Sequence, residues 1–375
     1  MKLSFLITIL CICNTFGQSI AISDVANLPT TVNETSGLIY FNDQLVTHND
    51  SGNAPELYEI SSTDGTVIRT VTISNATNVD WEDIAQDDTY IYIGDIGNNN
   101  GNRTNLKIYR ILKSDFEANA SVTAEIINYS YANQTDFTSS PNSNDWDAEG
   151  FVIYDSQILL FTKNWVTSQV NVYAFPKTIG THSASLVSNY NIGGLVTAAD
   201  YVDHKIYLTG YSPATVTPFI AVIYDVNISV PNDMDLFGLS SIHKFENVLP
   251  FAHQVESVCY IDSVGNDDRL YITNERFSVG GIVVEPSLKM VTLDNFTLGI
   301  TDLEIAEFEI YPNPFSNQIT ISDRVDEIHI YDSLGKQVLQ MFQTNSVDTS
   351  SLSEGVYYIE LITKAKRQVK KLVKH

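Results

Sequence analysis

Basic residues are scarce in this sequence. Its 375 residues include 21 Lys and Arg against 45 Asp and Glu, which gives a formal net charge of −24. Binding to nucleic acid depends on basic side chains that neutralise phosphates, so this composition argues against a nucleic-acid partner. Disorder is excluded as well, because 43% of the residues are hydrophobic and 11% are aromatic, which is typical of a packed, β-rich fold.

Cysteine and long apolar runs are also scarce. Of three cysteines, Cys11 and Cys13 lie in the N-terminal stretch, and only Cys259 follows it. A single thiol excludes an internal disulfide, so we expect stability to come from packing or from bound ions. No segment reaches the roughly 18 apolar residues of a membrane-spanning helix, and we therefore expect no transmembrane segment.

Residues 1–17 have the pattern of a secretory signal peptide. Lys2 supplies a positive charge, an apolar run extends from Leu3 to Cys13, and the small residue Gly17 follows a short polar stretch. Signal peptides of this kind are removed during export. We therefore expect a secreted chain whose mature part begins near residue 18.

Residues 304–375 differ from the rest of the chain. They hold 8 of the 21 basic and 10 of the 45 acidic residues, so the preceding part carries −22 of the net charge. Alternating apolar residues broken by Gly and Asp-Ser turns predict a small β-sandwich of six or seven strands.

Four motifs in this segment point to a known family. They are Tyr-Pro-Asn-Pro at 311–314, Ile-Tyr-Asp-Ser-Leu-Gly-Lys at 330–336, Leu-Ser-Glu-Gly-Val-Tyr-Tyr at 352–358, and a basic final strand. In these the segment resembles the type A C-terminal sorting domain of the bacterial type IX secretion system. The resemblance implies handling by the type IX machinery, passage through the periplasm, and a final location that is secreted or on the outer cell surface. The alternative is an adhesive β-sandwich.

The body of the chain, residues 18–303, contains a repeat. Five short motifs, each followed about a dozen residues later by a second strand and then a third, mark the repeats: Glu34–Tyr40, Asp80–Ala85, Asp147–Val152, Val196–Tyr201 and Gln254–Cys259. Four antiparallel strands repeated every 50 to 65 residues predict a β-propeller, because a lone four-stranded sheet cannot bury both faces. A β-sandwich or β-helix is the alternative.

Five blades are counted in this repeat. A sixth is left open, in the stretch 112–145 or the stretch 227–250. We expect the segment from Ser19 to Val32 to add a closing strand to the last blade.

Acidic residues recur within the repeat. Placing Ser36, Glu82, Glu149, Ala198 and Glu256 in register puts Glu34, Asp80, Asp147, Val196 and Gln254 two positions earlier. If these residues belong to the innermost strands, two tiers of carboxylates converge on the channel, where they repel one another unless a proton or a cation intervenes. Calcium, which takes six to eight oxygen ligands, is the predicted ion. The alternative is that the acids bond to backbone amides or lie solvated at a rim.

Further candidates follow the second strands of the blades. Asp50 and Asp95 belong to D-x-G-N sequences that suit either an oxygen-ligand loop or a hairpin turn. Lys163 and Arg276 follow later strands and are candidate ligand-binding residues for an anionic group beside a metal, and His48 is the candidate catalytic base.

The string Asp147 to Phe151 resembles phytase-like and lactonase-like calcium-dependent propellers. In such a family Glu149 is a metal ligand, with Glu82 and Glu256 as candidates by repeat position. Val196 and Ala198 depart from the pattern, and no complete ligand set is visible. Two functions follow: a surface module that binds glycan, phosphoester or protein ligands, or a calcium-dependent hydrolase, phosphoesterase-like or lactonase-like, with its site at the propeller axis.

Overall fold

The computed structural model describes residues 19–226, 235–294, 308–332, 336–362 and 367–375. The predicted signal peptide and the predicted boundary between residues 303 and 304 lie outside these residues. Contacts divide the chain into two compact units, 1–295 and 296–375.

The first unit is built almost entirely of short strands. In chain order its elements are β1 (Ile20–Asn27), a 3₁₀ turn (Thr30–Val32), β2 (Thr35–Phe41), β3 (Gln44–Asn49), β4 (Glu56–Ile60), β5 (Val67–Ile73), β6 (Trp81–Gln86), β7 (Tyr90–Asp95), β8 (Lys107–Leu112), α1 (Lys113–Ala118), β9 (Ser121–Val122), β10 (Glu125–Tyr131), β11 (Ala148–Tyr154), β12 (Gln157–Thr162), β13 (Val170–Pro176), β14 (Gly180–Tyr190), β15 (Leu195–Val202), β16 (Lys205–Tyr211), β17 (Pro218–Tyr224), α2 (Leu236–Leu239), β18 (Ser241–Phe245), β19 (Val255–Val264), β20 (Asp267–Asn274), β21 (Phe277–Val279), β22 (Ile282–Val284) and β23 (Ser287–Asp294).

These strands form five four-stranded antiparallel blades within the described residues, and a parallel pairing of β10 with β14 joins the second and third blades into one eight-stranded sheet. The blades are β2–β5, then β6, β7, β8 and β10, then β11–β14, then β15–β18, and last β19, β20, β23 and β1. The innermost strands β2, β6, β11, β15 and β19 contact one another in that order, and β19 contacts β2. This closed ring makes the unit a five-bladed β-propeller, as the repeat predicts.

Five apolar clusters lie between the five pairs of neighbouring blades. The strand β11 illustrates the cause, since all seven of its residues are buried. A blade is covered on both faces, so its inner strands are near-continuous apolar runs instead of alternating ones. Cys259 lies in the cluster between the last and first blades, as a small buried residue.

The N-terminal strand closes the propeller. β1 pairs antiparallel with β23, from Ile20 opposite Leu293 to Asn27 opposite Ser287, and so supplies the outermost strand of the last blade. This confirms the predicted closing strand. The described stretch 112–145 holds no separate blade, because β9 pairs with β5 of the first blade and β10 belongs to the second.

A β-bulge recurs near the start of every innermost strand. In the second, third and fifth blades the bulged residue is Glu82, Glu149 or Glu256. In the fourth blade the bulge falls at Thr197, between Val196 and Ala198. A bulge re-aims one side chain relative to the regular alternation, which brings these residues to equivalent positions at the top of the channel.

The predicted register of the fourth repeat is therefore wrong by one residue. Thr197, not Ala198, is equivalent to the three glutamates, and Leu195, not Val196, lies two positions earlier. The apolar and small residues around this bulge contain no acid that marks it in the sequence. The first blade has its bulge at Gly37, next to Ser36.

The second unit is one five-stranded sheet in its described residues. Its strands are β24 (Ile310–Tyr311), β25 (Gln318–Asp332), β26 (Gln337–Asp348), β27 (Gly355–Ile362) and β28 (Arg367–Lys374). β25 pairs with β24, β26 and β27, and β27 pairs with β28. Within the described residues this is fewer than the six or seven predicted strands, because β25 is a single 15-residue strand that pairs with β26 on both sides of an irregularity between Thr320 and Val325.

Candidate functional site

The candidate site is the end of the channel at which the innermost strands begin, here called the mouth. In four of the five blades two backbone positions line it: the residue two before Ser36, Glu82, Glu149 or Glu256, and the residue after the second strand. A backbone hydrogen bond joins them, from Asp50 N to Glu34 O at 2.8 Å, from Ile96 N to Asp80 O at 3.1 Å, from Lys163 N to Asp147 O at 2.6 Å and from Glu275 N to Gln254 O at 3.1 Å. The repeat thus places acids from different blades around one opening.

Three of these acids form the tightest group. One carboxylate oxygen each of Asp50, Asp80 and Glu82 lie within 4.8 Å of one another. Burial, followed by the charge of Asp50, raises the pKa of Asp80 to about 7. Burial, followed by the charges of Glu149 and Asp50, raises the pKa of Glu82 well above its ordinary value. Each acid therefore makes ionisation of the others harder.

Glu82 is the least compensated member of this group. Its side chain is 5% exposed, yet its carboxylate has neither a hydrogen bond nor an ion pair with any described residue. The loop residue Gly97 lies directly against it: a Cβ at this position would lie 2.1 Å from Glu82 Oε1 and 2.5 Å from Asp80 Oδ2. Only glycine lets the backbone approach both carboxylates in this way.

Arg103 fixes the loop that contacts the group of Asp50, Asp80 and Glu82. Its guanidinium donates to Asp95 Oδ1 at 2.6 Å and to the Gly97 carbonyl at 2.6 Å, and Nη1 lies 4.0 Å from Asp80 Oδ2. Asp95 is fully buried and also accepts the backbone N–H of Asp80 at 3.2 Å. The predicted ligand-binding residue Asp95 thus orders the loop behind the mouth instead of facing it.

A buried ion pair lies at the mouth in the third blade, which neighbours the second. Lys163 Nζ lies 3.0 Å from Glu149 Oε2, with both side chains at most 5% exposed. Burial alone lowers the pKa of Lys163, but the charges of Glu149, Tyr211 and Glu256 together outweigh it, so the pKa is raised well above its ordinary value. The pKa of Glu149 itself is raised well above its ordinary value by burial, and Lys163 opposes that shift.

Glu256 and Glu275 extend the acidic ring through the last blade. Burial raises the pKa of Glu256 to about 7, with Lys163 opposing. Burial, followed by the charges of Glu256 and Asp50, raises the pKa of Glu275 to about 9. The carboxylates of Glu82, Glu149 and Glu256 therefore interact across the mouth, although no single point with all three as ligands is defined.

The remaining predicted residues differ in their surroundings. Asp147 is buried, and its carboxylate accepts Asn98 N at 2.5 Å and Trp165 Nε1 at 2.7 Å. Glu34 is exposed and accepts Asn53 Nδ2 at 2.5 Å. Arg276 is exposed and pairs with Glu285 at 3.4 Å, outside the acidic group.

His48 has no access to the opening. Its ring is fully buried against Trp81, with centroids 5.5 Å apart, and Nδ1 lies 3.0 Å from the Asn49 carbonyl. Burial lowers the pKa of His48 to about 4. The imidazole packs between blades, so the structure provides no route by which it acts as a base on a substrate.

The channel is closed immediately beneath the mouth. The fully buried carboxylate of Asp83 accepts the backbone N–H of Ile84 at 2.9 Å, of Phe151 at 3.1 Å and of Ala199 at 3.2 Å. These donors belong to the second, third and fourth blades, so the side chain crosses the axis. The mouth is therefore a shallow acidic funnel.

Sequence reasoning did not predict Gly97, Arg103 or Glu275 as site residues, and it assigned Asp50 to ligand binding and not to the metal group. The sequence contains one signal for Asp50 and Glu275. Asp50, Lys163 and Glu275 all follow the second strand of their blades, which marks one position at the mouth. Nothing in the sequence marks Arg103 as the partner of Asp95.

The donors present fit a hard divalent cation. Asp50, Asp80 and Glu82 offer only carboxylate oxygens, which calcium and magnesium prefer, and soft ligands are missing from this group. The uncompensated buried carboxylate of Glu82 and the close approach of Gly97 agree with such an ion.

Two findings classify the molecule. The closed ring of five blades defines the first unit as a β-propeller, and residues 309–375 match the family model described as a secretion system C-terminal sorting domain. The second unit is therefore a type IX sorting domain, handled by the type IX secretion machinery, and the protein is exported to a secreted or outer-surface location. No helix among the described residues is long and apolar enough to cross a membrane.

Three solved structures to which this chain is similar are the following. For an exo-β-1,3-galactanase from Clostridium thermocellum the identity is 8% and the TM-score 0.45, with 93% of this chain and 82% of that chain covered. For a GH32 β-fructofuranosidase from Bombyx mori the identity is 10% and the TM-score 0.38, with 93% of this chain and 88% of that chain covered. For the WD40 β-propeller domain of Doa1 the identity is 9% and the TM-score 0.31, with 93% of this chain and 96% of that chain covered. No curated protein matches the chain.

Proposed function

We propose that this exported propeller binds one divalent cation, calcium by preference, at its mouth, and that it acts as a surface module whose ligand docks over the bound ion. The observation that carries the proposal is the group of Asp50, Asp80 and Glu82, with carboxylate oxygens within 4.8 Å of one another. Because Glu82 is buried without a partner, this group has a deficit of positive charge that a cation removes.

Electrostatics favours a cation over protons alone. Burial, reinforced by the charges of neighbouring carboxylates, raises the pKa of Asp80 to about 7 and that of Glu82 well above its ordinary value, so the charged forms of these groups are costly. A divalent cation neutralises both charges at once and accepts their oxygens as ligands. Calcium tolerates six to eight oxygen ligands in irregular geometry, whereas magnesium requires a near-ideal octahedron.

The first test measures calcium binding directly. The mature full-length chain is titrated with calcium after chelation, by isothermal calorimetry and by melting temperature. A ligand that binds only the native state stabilises it by RT ln(1 + [L]/Kd), so a thousandfold excess over Kd raises the free energy of unfolding by about 4 kcal/mol. We expect the melting temperature to rise with calcium, and Glu82→Gln to remove most of the rise.

Glu59→Gln is the matched control, because Glu59 is a partly buried carboxylate in an ion pair with Arg69, on an outer strand of the first blade. It is expected to leave calcium affinity unchanged. Equal calcium responses in the wild type and Glu82→Gln, or no response in either at millimolar calcium, contradict the proposal.

A calcium-dependent hydrolase is the second candidate. The observation in its favour is that burial places the pKa values of Asp80 and Glu256 near 7, where a carboxyl group exchanges protons efficiently. A cation beside such a group would polarise a phosphoester, ester or lactone and lower the pKa of a bound water. His48 takes no part in this version.

Turnover assays separate the two candidates. Phosphoester, lactone and ester substrates are tested with calcium and with chelator, alongside a glycan array. Calcium-dependent turnover that Glu149→Gln abolishes favours the hydrolase. Calcium-dependent glycan or protein binding without turnover favours the binding module.

A further inference from the structure

The mouth contains two groups of acids, and positive charge compensates them to different extents. In the group of Asp50, Asp80 and Glu82, the nearest ion-pair contact is Arg103 Nη1, 4.0 Å from Asp80 Oδ2. In the other group Lys163 Nζ lies 3.0 Å from Glu149 Oε2. One group has a shortage of positive charge, and the other has its own cation.

Lys163 stands where other blades carry an acid. It is the residue after the second strand of the third blade, and the same position is Asp50 in the first blade and Glu275 in the fifth. The backbone hydrogen bonds that define this position join Asp50 to Glu34, Lys163 to Asp147 and Glu275 to Gln254. The repeat therefore places an ammonium group at a position that is acidic in the first and fifth blades and is Ile96 in the second.

The ammonium group is held firmly in place. Lys163 is 4% exposed, and its Nζ lies 5.0 Å from the ring centre of Trp165 and 5.2 Å from that of Tyr211. Trp165 is itself fixed by its hydrogen bond to Asp147 Oδ2 at 2.7 Å. Two aromatic faces and one carboxylate thus enclose a single charge, which is a strong arrangement for a desolvated cation.

Four acids surround Lys163, whose charge also opposes the rise in the pKa of Asp50. Glu149 and Glu256 are 2% and 6% exposed, Asp147 is fully buried, and Glu275 is half-buried. Glu149, Glu256 and Asp147 all act electrostatically on Lys163, and Lys163 acts in turn on Glu275. Without the lysine these carboxylates would share a buried site with no positive charge among them.

We propose that Lys163 is an internal cation that takes the place of a second metal ion, so that the mouth binds one divalent cation instead of two. The inference rests on the proposed cation binding at Asp50, Asp80 and Glu82. The group of acids that has an ammonium group needs no ion, while the group without one does. Lys163 is in this sense the residue that sets the stoichiometry.

The decisive variant is Lys163→Met. Methionine retains an unbranched apolar chain of similar length and packs well against aromatic rings, so the space between Trp165 and Tyr211 stays filled while the charge is removed. Bound calcium per chain is measured by equilibrium dialysis on the full-length mature protein. We expect one calcium per chain for the wild type and two for Lys163→Met, and Lys163→Arg should remain at one.

Lys205→Met is the control for loss of a lysine ion pair with a buried carboxylate. Lys205 Nζ lies 2.6 Å from Asp268 Oδ2 in the fourth and fifth blades, away from the mouth. Removing the lysine takes one partner away from the buried Asp268 carboxylate, which lowers stability. This variant should lose stability like Lys163→Met, but it should still bind one calcium.

The outcomes separate this inference from the proposed function. One calcium in both the wild type and Lys163→Met overturns the role of Lys163 and leaves the proposed function intact. No calcium in the wild type overturns the proposed function, and no calcium in either protein overturns both. If Lys163→Met folds only in calcium, its melting temperature must rise with calcium more steeply than that of the wild type, and an equal rise counts against the proposal.

Discussion

Two neighbouring residues, Glu82 and Asp83, show how differently the propeller treats a buried acid. Both side chains are at most 5% exposed and both belong to the innermost strand of the second blade. The Asp83 carboxylate accepts three backbone N–H groups from three blades, whereas the Glu82 carboxylate accepts none. The bulge at Glu82 sends these neighbours to different levels of the channel.

The difference separates an architectural acid from an acid that awaits a ligand. Asp200 belongs with Asp83, because its carboxylate accepts Tyr201 N at 2.9 Å and Tyr260 N at 2.7 Å and so joins the fourth and fifth blades. Glu82 belongs with Asp80 and Asp50 at the mouth. Buried carboxylates are satisfied by hydrogen bonds or by cations, and the molecule uses the first at the closed level and leaves room for the second above it.

The strongest way to test the comparison is to remove the architectural acid. Asp83→Ala leaves three buried backbone N–H groups without acceptors, and each such group costs about 1 to 3 kcal/mol. We expect the free energy of unfolding to fall by about 4 kcal/mol in urea titrations, with or without calcium. Glu82→Gln, in chelator, should leave stability unchanged or slightly higher, because it removes a repulsive charge. A comparable loss in both variants would break the distinction.

The second prediction concerns pH. Without calcium, the folded-state pKa values of Asp80 and Glu256 are about 7 and that of Glu275 about 9, against about 4 in an unfolded chain. The folded protein therefore binds more protons between these values, so its stability falls as pH rises from about 4 through 7 and, for Glu275, towards 9. In chelator we expect the melting temperature to fall by about 5 °C from pH 5 to pH 8.

Calcium should flatten this dependence, since a bound cation replaces the protons. The measurement is a series of thermal scans at constant ionic strength, each with calcium and with chelator. A melting temperature that rises from pH 5 to pH 8 in chelator would show that other titrating groups determine the pH dependence of stability. The negative charges of the carboxylates at the mouth would then already be compensated.

The third prediction concerns the loop that touches the cation group. A Cβ at Gly97 meets both Glu82 and Asp80, so Gly97→Ala should displace their carboxylates and weaken calcium affinity about tenfold, which corresponds to about 1.4 kcal/mol. The matched control is Gly52→Ala in the corresponding loop of the first blade. Gly52 has φ +76° and open space around its Cβ position, so that variant should lose stability through backbone strain but retain affinity. Equal affinity losses in both would remove Gly97 from the site.

The sequence predicts the propeller, its closing strand and the acidic repeat position because all three follow from a local four-strand period. It fails at the fourth repeat, where Thr197 and its neighbours offer no acid to mark the bulge. It also fails for the pair of Asp95 and Arg103, which forms only when residues 96–102 fold back over the strand end. Contacts across the axis, such as Asp83 to Ala199, depend on the closure of the ring and have no local signature.

The smallest expected effect lies at the rim. Glu34 occupies the same repeat position as Asp80, but it is exposed and bonded to Asn53 Nδ2 at 2.5 Å. Solvent screens its charge, and its oxygens are not in the group of Asp50, Asp80 and Glu82, so Glu34→Gln should weaken calcium affinity less than about threefold, since exposed charges contribute little. Calorimetry of Glu34→Gln beside Asp80→Asn measures the contrast. A larger loss of affinity from Glu34→Gln than from Asp80→Asn would indicate that the cation lies nearer the first blade. Repeat position, and not burial, would then determine which residues are its ligands.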